Sequence, residues 1–257
     1  MRKEKIIIIG GGVGPRAGIL LHNHILENTL TDGTDQDHLE VYHFSRSSDI
    51  PDRSIAIELG REEEPALGMY RTFKVAASAI SGVQAESLGG IPCNTFHAPA
   101  IFGRFTQYMQ DLKPKIRILN MIDETIEGIM KSNPGVGTIG IMSTTGTRRT
   151  GIYSEPLQSR GIKTIQVPEE AQSKLHDSIY NREWGIKAAT PIILKTKSIL
   201  EKFSDYLIDM GAEMIILGCT EIPLVMSGRS YRGIPLIDPM RSLARALIRE
   251  ANPDKLR

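Results

Sequence analysis

An α/β fold built on parallel sheets is predicted by three features of the sequence. Short apolar runs alternate with longer segments of helical periodicity, the order that places a helix between successive parallel strands. Several runs are apolar at every position, as in Ile6-Ile7-Ile8-Ile9, and strands covered by helices on both faces read that way. Two features also recur at similar offsets. An apolar run breaks into a small-residue loop at 6–15 and again at 138–147, with Ile8 and Ile141 lying 133 residues apart. Cys93 and Cys219, the 2 cysteines of the chain, lie 126 residues apart, each near the end of an apolar run and each followed by polar residues. The matching offsets predict two similar α/β domains.

Strands are expected at 5–9, 39–44, 115–119, 136–142, 162–167, 213–217 and 234–237. A helix is predicted over 195–210, because Ile199, Leu200, Phe203, Tyr206, Leu207 and Met210 fall on one face. Thr190-Pro191 reads as its start and Gly211 as its stop. A second helix is expected over 98–112. The segment 222–257 has no counterpart in the second half, so it is expected to pack back on the first. The predicted domains are therefore 1–112 with 222–257, and 113–221.

Composition removes several function classes. Of 257 residues, 40% are hydrophobic and 24% charged, ordinary values for a globular protein. With 31 Lys+Arg against 30 Asp+Glu, the net charge of +1 provides no long-range field for nucleic acid or an anionic membrane. No apolar run approaches the ~20 residues needed to span a bilayer. Met1-Arg2-Lys3 and the short run after it lack an h-region and an A-x-A site, so no secretion signal is read. A cytoplasmic location is expected, where the cysteines stay reduced and do not form a disulfide.

The loop Gly10-Gly11-Gly12-Val13-Gly14-Pro15 follows a strand, but the last glycine of a dinucleotide fingerprint would fall on Pro15. It reads either as a tight turn or as a loop whose N–H groups approach a small carboxylate. Ser143-Thr144-Thr145-Gly146-Thr147 reads either as a carboxylate-binding loop or as a helix N-cap. The 6 histidines have no metal-ligand spacing, and no metal is expected. His97, four residues after Cys93, either is a hydrogen-bonded neighbour or biases the thiol. No G-x-S-x-G elbow is present. Cys93 precedes a helical stretch, where a thiol pKa can be lowered. Cys219 lies at the carboxyl end of a strand, the edge where open α/β folds bind ligands. Two thiols in matching places suit proton transfer at one carbon from both sides: a thiolate removes a proton and a thiol returns one to the opposite face.

The residues just named, with others, resemble the cofactor-independent aspartate/glutamate racemase family, most closely its aspartate racemase branch. The resemblance spans nearly the whole chain. It rests on Gly11-Gly12-Val13-Gly14-Pro15, Pro51-Asp52-Arg53, Pro92-Cys93-Asn94-Thr95-Phe96-His97, Thr144-Thr145-Gly146-Thr147 with Tyr153, Gly185-Ile186-Lys187-Ala188 and Leu217-Gly218-Cys219-Thr220-Glu221-Ile222-Pro223. It implies two α/β domains with the active site in the cleft between them, and Cys93 and Cys219 as the paired acid and base. It further implies that Asn94, Thr95, Thr144 and Thr220 hold the α-carboxylate and amino group, and that Arg53 and Lys187 contact a side-chain carboxylate. Gly12 and Glu221 complete the implied substrate site. The expected substrate is a small amino acid, aspartate or glutamate. No cofactor, nucleic acid or membrane is implied, and a homodimer is. Related cysteine-dependent isomerisation of maleate or hydantoins, and non-catalytic amino-acid binding, are the rival readings. Phe96 stands where the motif usually has alanine, and its bulk is expected to reshape the pocket.

Overall fold

The computed structural model describes residues 4–112, 116–188 and 194–257. Thr190-Pro191, Lys115 and Met1-Arg2-Lys3, which figure in the expectations above, lie outside the described residues. The chain divides into two compact units, Met1–Glu124 with Met240–Arg257, and Thr125–Pro239.

The first unit runs β1 (Ile6–Gly11), α1 (Pro15–Asn28), β2 (Val41–Ser45), α2 (Arg53–Glu58), α3 (Glu63–Ala79), β3 (Ser87–Gly90), α4 (Pro99–Met109) and β4 (Ile116–Leu119). Its strands form a parallel sheet in the order β2-β1-β3-β4. The unbroken apolar run of β1 now has its physical reason. Ile6 and Ile8 join one core with Phe73, Phe96 and Phe105, while Ile7 and Ile9 join another with Leu21, Leu243 and Leu247. Both faces of the strand are dry, so neither parity can be polar.

The helix α5 (Met121–Ser132) spans the boundary between the units. The second unit continues with β5 (Thr138–Ser143), α6 (Thr145–Arg149), α7 (Ser154–Gln158), β6 (Lys163–Gln166), α8 (Glu169–Tyr180), α9 (Leu194–Asp209), β7 (Met214–Gly218), β8 (Ser230–Tyr231) and β9 (Ile234–Ile237). Its sheet has the order β6-β5-β7-β9-β8, parallel except for β8. Leaving out β8, the two strand orders correspond one to one, as the recurring offsets suggest: β2-β1-β3-β4 maps onto β6-β5-β7-β9. Helix α10 (Pro239–Ala251) then places Leu243 and Leu247 in the core of the first unit.

The units differ from the expected boundaries. The segment from Ile222 to Pro239 belongs to the second unit, because β9 pairs with β7. β4 belongs to the first, because it pairs with β3. The expected break at 221/222 therefore moves to the start of α10, and the break at 112/113 moves into α5.

Candidate active site

Both cysteines are reduced and buried, and each follows the carboxyl end of an equivalent strand: Cys93 after β3, and Cys219 immediately after β7. In the first unit, Cys93 begins a tight turn that runs into a 3-10 helix at Thr95–His97. Asn94, Thr95 and His97 are all buried there. Helix α4 starts only at Pro99, so Cys93 does not occupy its first turn. His97 donates from Nδ1 to the Cys93 carbonyl oxygen at 2.8 Å and stacks on Phe102 at a centroid distance of 4.9 Å. Burial lowers the His97 pKa to about 4, although that backbone bond opposes the shift. The ring is therefore neutral and braces the turn that carries the thiol. Phe96 is fully buried with its edge on Phe105, 5.4 Å between centroids. It belongs to the core cluster that also contains Cys93.

Gly12 and Arg53 lie together. Gly12 has φ +91, and a Cβ there would stand 2.6 Å from the Arg46 backbone nitrogen. Only glycine fits both the conformation and the space. The α2 helix is capped by Asp52, whose carboxylate accepts from the N–H groups of Ser54 and Ile55. That places Arg53 at the start of the helix, buried, with Nη2 donating to the Val13 carbonyl at 3.2 Å and Nη1 to Pro51 at 3.2 Å. Arg53 ties the glycine loop to the Pro51 turn.

In the second unit Cys219, Thr220, Glu221 and Lys187 form one network. The Cys219 thiol donates to Glu221 Oε2 at 3.1 Å, and the Thr220 hydroxyl donates to the same oxygen at 3.1 Å. Lys187 Nζ donates to Glu221 Oε1 at 2.5 Å. Burial, with the Glu221 carboxylate beside it, pushes the Cys219 thiol well up and keeps it protonated. Burial alone would raise the Glu221 carboxyl; the Lys187 ammonium and the three donors outweigh it and hold the group below the usual carboxylate range. Lys187 also lies over the Tyr180 ring at 5.1 Å, and Tyr180 stacks on His176 at 4.6 Å. His176 Nδ1 accepts from the Thr145 N–H at 3.4 Å. Thr144 is the N-cap of α6: its hydroxyl accepts from the Thr147 N–H at 3.3 Å and donates to Thr147 Oγ1 at 3.1 Å.

Tyr180 is part of no motif in the sequence, and His176 stands there only as one of the 6 histidines without metal-ligand spacing. Their i, i+4 spacing on α8 was the available signal, since such residues share a helix face. Among the described residues, no group of three His, Cys, Asp or Glu side chains can hold a metal ion. No described helix is long and apolar enough to cross a membrane.

A family model for Asp/Glu/Hydantoin racemase matches residues 11–247. The chain belongs to the Asp/Glu/Hydantoin racemase family. It is similar in structure to Picrophilus torridus aspartate racemase, with a TM-score of 0.76, 27% identity, and coverage of 98% of this chain and 96% of that one. A glutamate racemase from Francisella tularensis subsp. tularensis, solved with D-glutamate, shares the fold at a TM-score of 0.58 and 14% identity, over 96% of this chain and 80% of that one. An uncharacterised protein of Pectobacterium carotovorum subsp. carotovorum is 31% identical over 121 residues, 46% of this chain and 75% of its own length.

Proposed function

We propose that the chain is a cofactor-independent amino-acid racemase that interconverts L- and D-aspartate, or glutamate, by proton transfer between Cys93 and Cys219. The observation that carries this reading is the environment of Cys219: a buried thiol at a strand's carboxyl end, donating to a carboxylate and kept protonated. That is the state of an acid about to deliver a proton. Cys93, in the equivalent place of the first unit, is then the first base. It takes the α-proton as a thiolate, the electron pair of the broken C–H bond moves onto the substrate carboxylate, and Cys219 returns a proton to the opposite face. The reverse reaction exchanges the two roles.

Donors must stabilise the charge that builds on the substrate carboxylate. Asn94, Thr95, Thr144 and Thr220 are assigned that task, with Gly12 leaving room at the adjacent loop. For the side-chain carboxylate, Arg53 is the better grip, because its guanidinium can bond at two points. Lys187 is already engaged by Glu221, so in this reading it holds Glu221 in place for the thiol. With one of the two expected cations committed, a substrate range wider than acidic amino acids is compatible with the site.

A panel of L-amino acids incubated with the protein and analysed on a chiral column tests this. D-Aspartate or D-glutamate should form, and Cys93→Ser and Cys219→Ser should each abolish it. Turnover of maleate to fumarate without racemisation would replace this reading with the isomerase alternative. Ligand binding without turnover would replace it with a binding protein.

A further inference from the structure

In the racemase reading Arg53 grips the side-chain carboxylate; on that reading we propose that His43 is a positioning residue for the grip. Its ring is wedged under the glycine loop of the first unit and, through that loop, sets where the Arg53 guanidinium lies. β2 runs parallel to β1 with His43 beside Ile9. Val41, two residues earlier, packs on the core shared by Ile7, Ile9, Ala17 and Leu21, whereas Tyr42 and Phe44 pack on the opposite core. Side chains two apart on a strand share a face, so the His43 ring faces α1.

Two glycines leave the slot that the ring fills. A Cβ on Gly11, the last residue of β1, would stand 2.6 Å from His43 Nε2, and one on Gly18, in the first turn of α1, 2.2 Å from the same atom. The ring and a side chain at either position therefore exclude each other. Nε2 is buried and has no hydrogen-bond partner among the described residues. A nitrogen in that state costs stability, so shape and not bonding holds the ring there. Burial, with His22 beside it, lowers the His43 pKa, and the ring is neutral at pH 7.

Gly11 and Gly18 flank the loop itself. Gly12, with φ +91, and Gly14, with φ +109, turn the chain between them. Val13, at the centre of the loop, is buried, and its carbonyl accepts from Arg53 Nη2 at 3.2 Å. A glycine-rich turn has wide conformational freedom, and a ring clamped between the strand end and the helix start removes it. Deleting the ring leaves a void that the two ends can close, and the Val13 carbonyl moves with them. The guanidinium then loses a carbonyl that aims it.

Melting temperatures of the full chain test the wedge. Gly18→Ala should lower the melting temperature of the native protein, because the added methyl evicts the ring. In a His43→Ala background the same change should raise it, because the slot is empty and alanine favours a helix over glycine. The melts also report whether each variant is folded, and His43→Val repeats the comparison if His43→Ala is not. Calorimetric titration and the chiral assay with L-aspartate then test the role. His43→Ala should weaken binding and raise KM about tenfold while kcat stays within about twofold. His43→Met, apolar and adaptable, should restore both. In an Arg53→Ala background His43→Ala should have no further effect. A melting shift of the same sign in both backgrounds overturns the wedge. A loss confined to kcat, or a KM rise that persists undiminished without Arg53, overturns the role and leaves the ring as packing. A native chain that neither binds nor converts an acidic amino acid ends the racemase reading and this role together, while the sign reversal still reports whether the ring is wedged.

Discussion

Replacing Lys187 by methionine isolates the pair on which the Cys219 environment rests. In the native chain Nζ and Oε1 are 2.5 Å apart, with the lysine side chain 26% exposed and the glutamate 6%. At an effective dielectric of about 20, two unit charges at that separation attract by roughly 7 kcal/mol. Desolvation offsets much of this, and the partly exposed lysine is screened further. A net coupling of about 2–3 kcal/mol is the reasonable expectation. Lys187→Met strands a buried carboxylate and should cost about 3 kcal/mol. Glu221→Gln leaves only a part-exposed ammonium and should cost about 1 kcal/mol. The double variant should lie near the milder single one.

Urea denaturation of the four proteins at pH 7 gives the cycle directly. The pH dependence has a definite sign. The folded Glu221 pKa is depressed, so its stabilising contribution is complete above the unfolded carboxyl pKa of about 4.3 and is lost as pH falls through the lower folded value. The deficit of Lys187→Met should accordingly shrink in acid. A coupling below about 0.5 kcal/mol at pH 7 would refute the pairing and return Lys187 to the substrate.

Three further outcomes follow from the same geometry. Arg53→Ala should depress turnover of acidic amino acids far more than of neutral ones, and equal losses in kcat/KM would reduce Arg53 to its bonds with Val13 and Pro51. Phe96→Ala should cost about 3–5 kcal/mol of stability, as for other buried aromatics, while leaving the order of substrate preference unchanged; a reordered preference would place the ring at the pocket. For His97, the folded pKa of about 4 lies below the usual 6.5, so its stabilising contribution is full above pH 6.5 and drains away as pH falls toward 4. The total is about 3 kcal/mol, and His97→Asn should remove that segment of the acid-stability curve.

Much of the fold was legible because its signals are local. The run Ile6 to Ile9 announces a strand buried on both faces, and the apolar face of 195–210 matches α9 to within one residue at each end. β3 was not legible. Its sequence, Ser87-Leu88-Gly89-Gly90, has neither alternation nor β-branched residues. The glycines answer to distant parts of the chain: a Cβ on Gly89 would stand 2.4 Å from Ile118 Cδ1, and one on Gly90 2.8 Å from Leu247 Cδ1. The 221/222 boundary erred for a related reason, since only the pairing of β9 with β7 assigns 222–239 to the second unit.

At the candidate site, the motifs picked out Cys219 and Glu221 as neighbours in sequence. They could not reveal that Lys187, 34 positions earlier, neutralises the glutamate. Thr144 illustrates the converse. Its loop reads either as a carboxylate-binding loop or as a helix N-cap; the Thr144 hydroxyl caps α6, and in the proposed site it would also bond the substrate carboxylate.

The most direct measurement of the two-thiol account is proton NMR of L-aspartate incubated with the protein in D₂O. The account expects deuterium at the α-carbon of newly formed D-aspartate while the remaining L-aspartate stays protonated at early times, because different groups remove and return the proton. Cys93→Ser and Cys219→Ser should each halt the conversion. Racemisation that persists in either variant, or D-aspartate that retains the original α-proton, would contradict it.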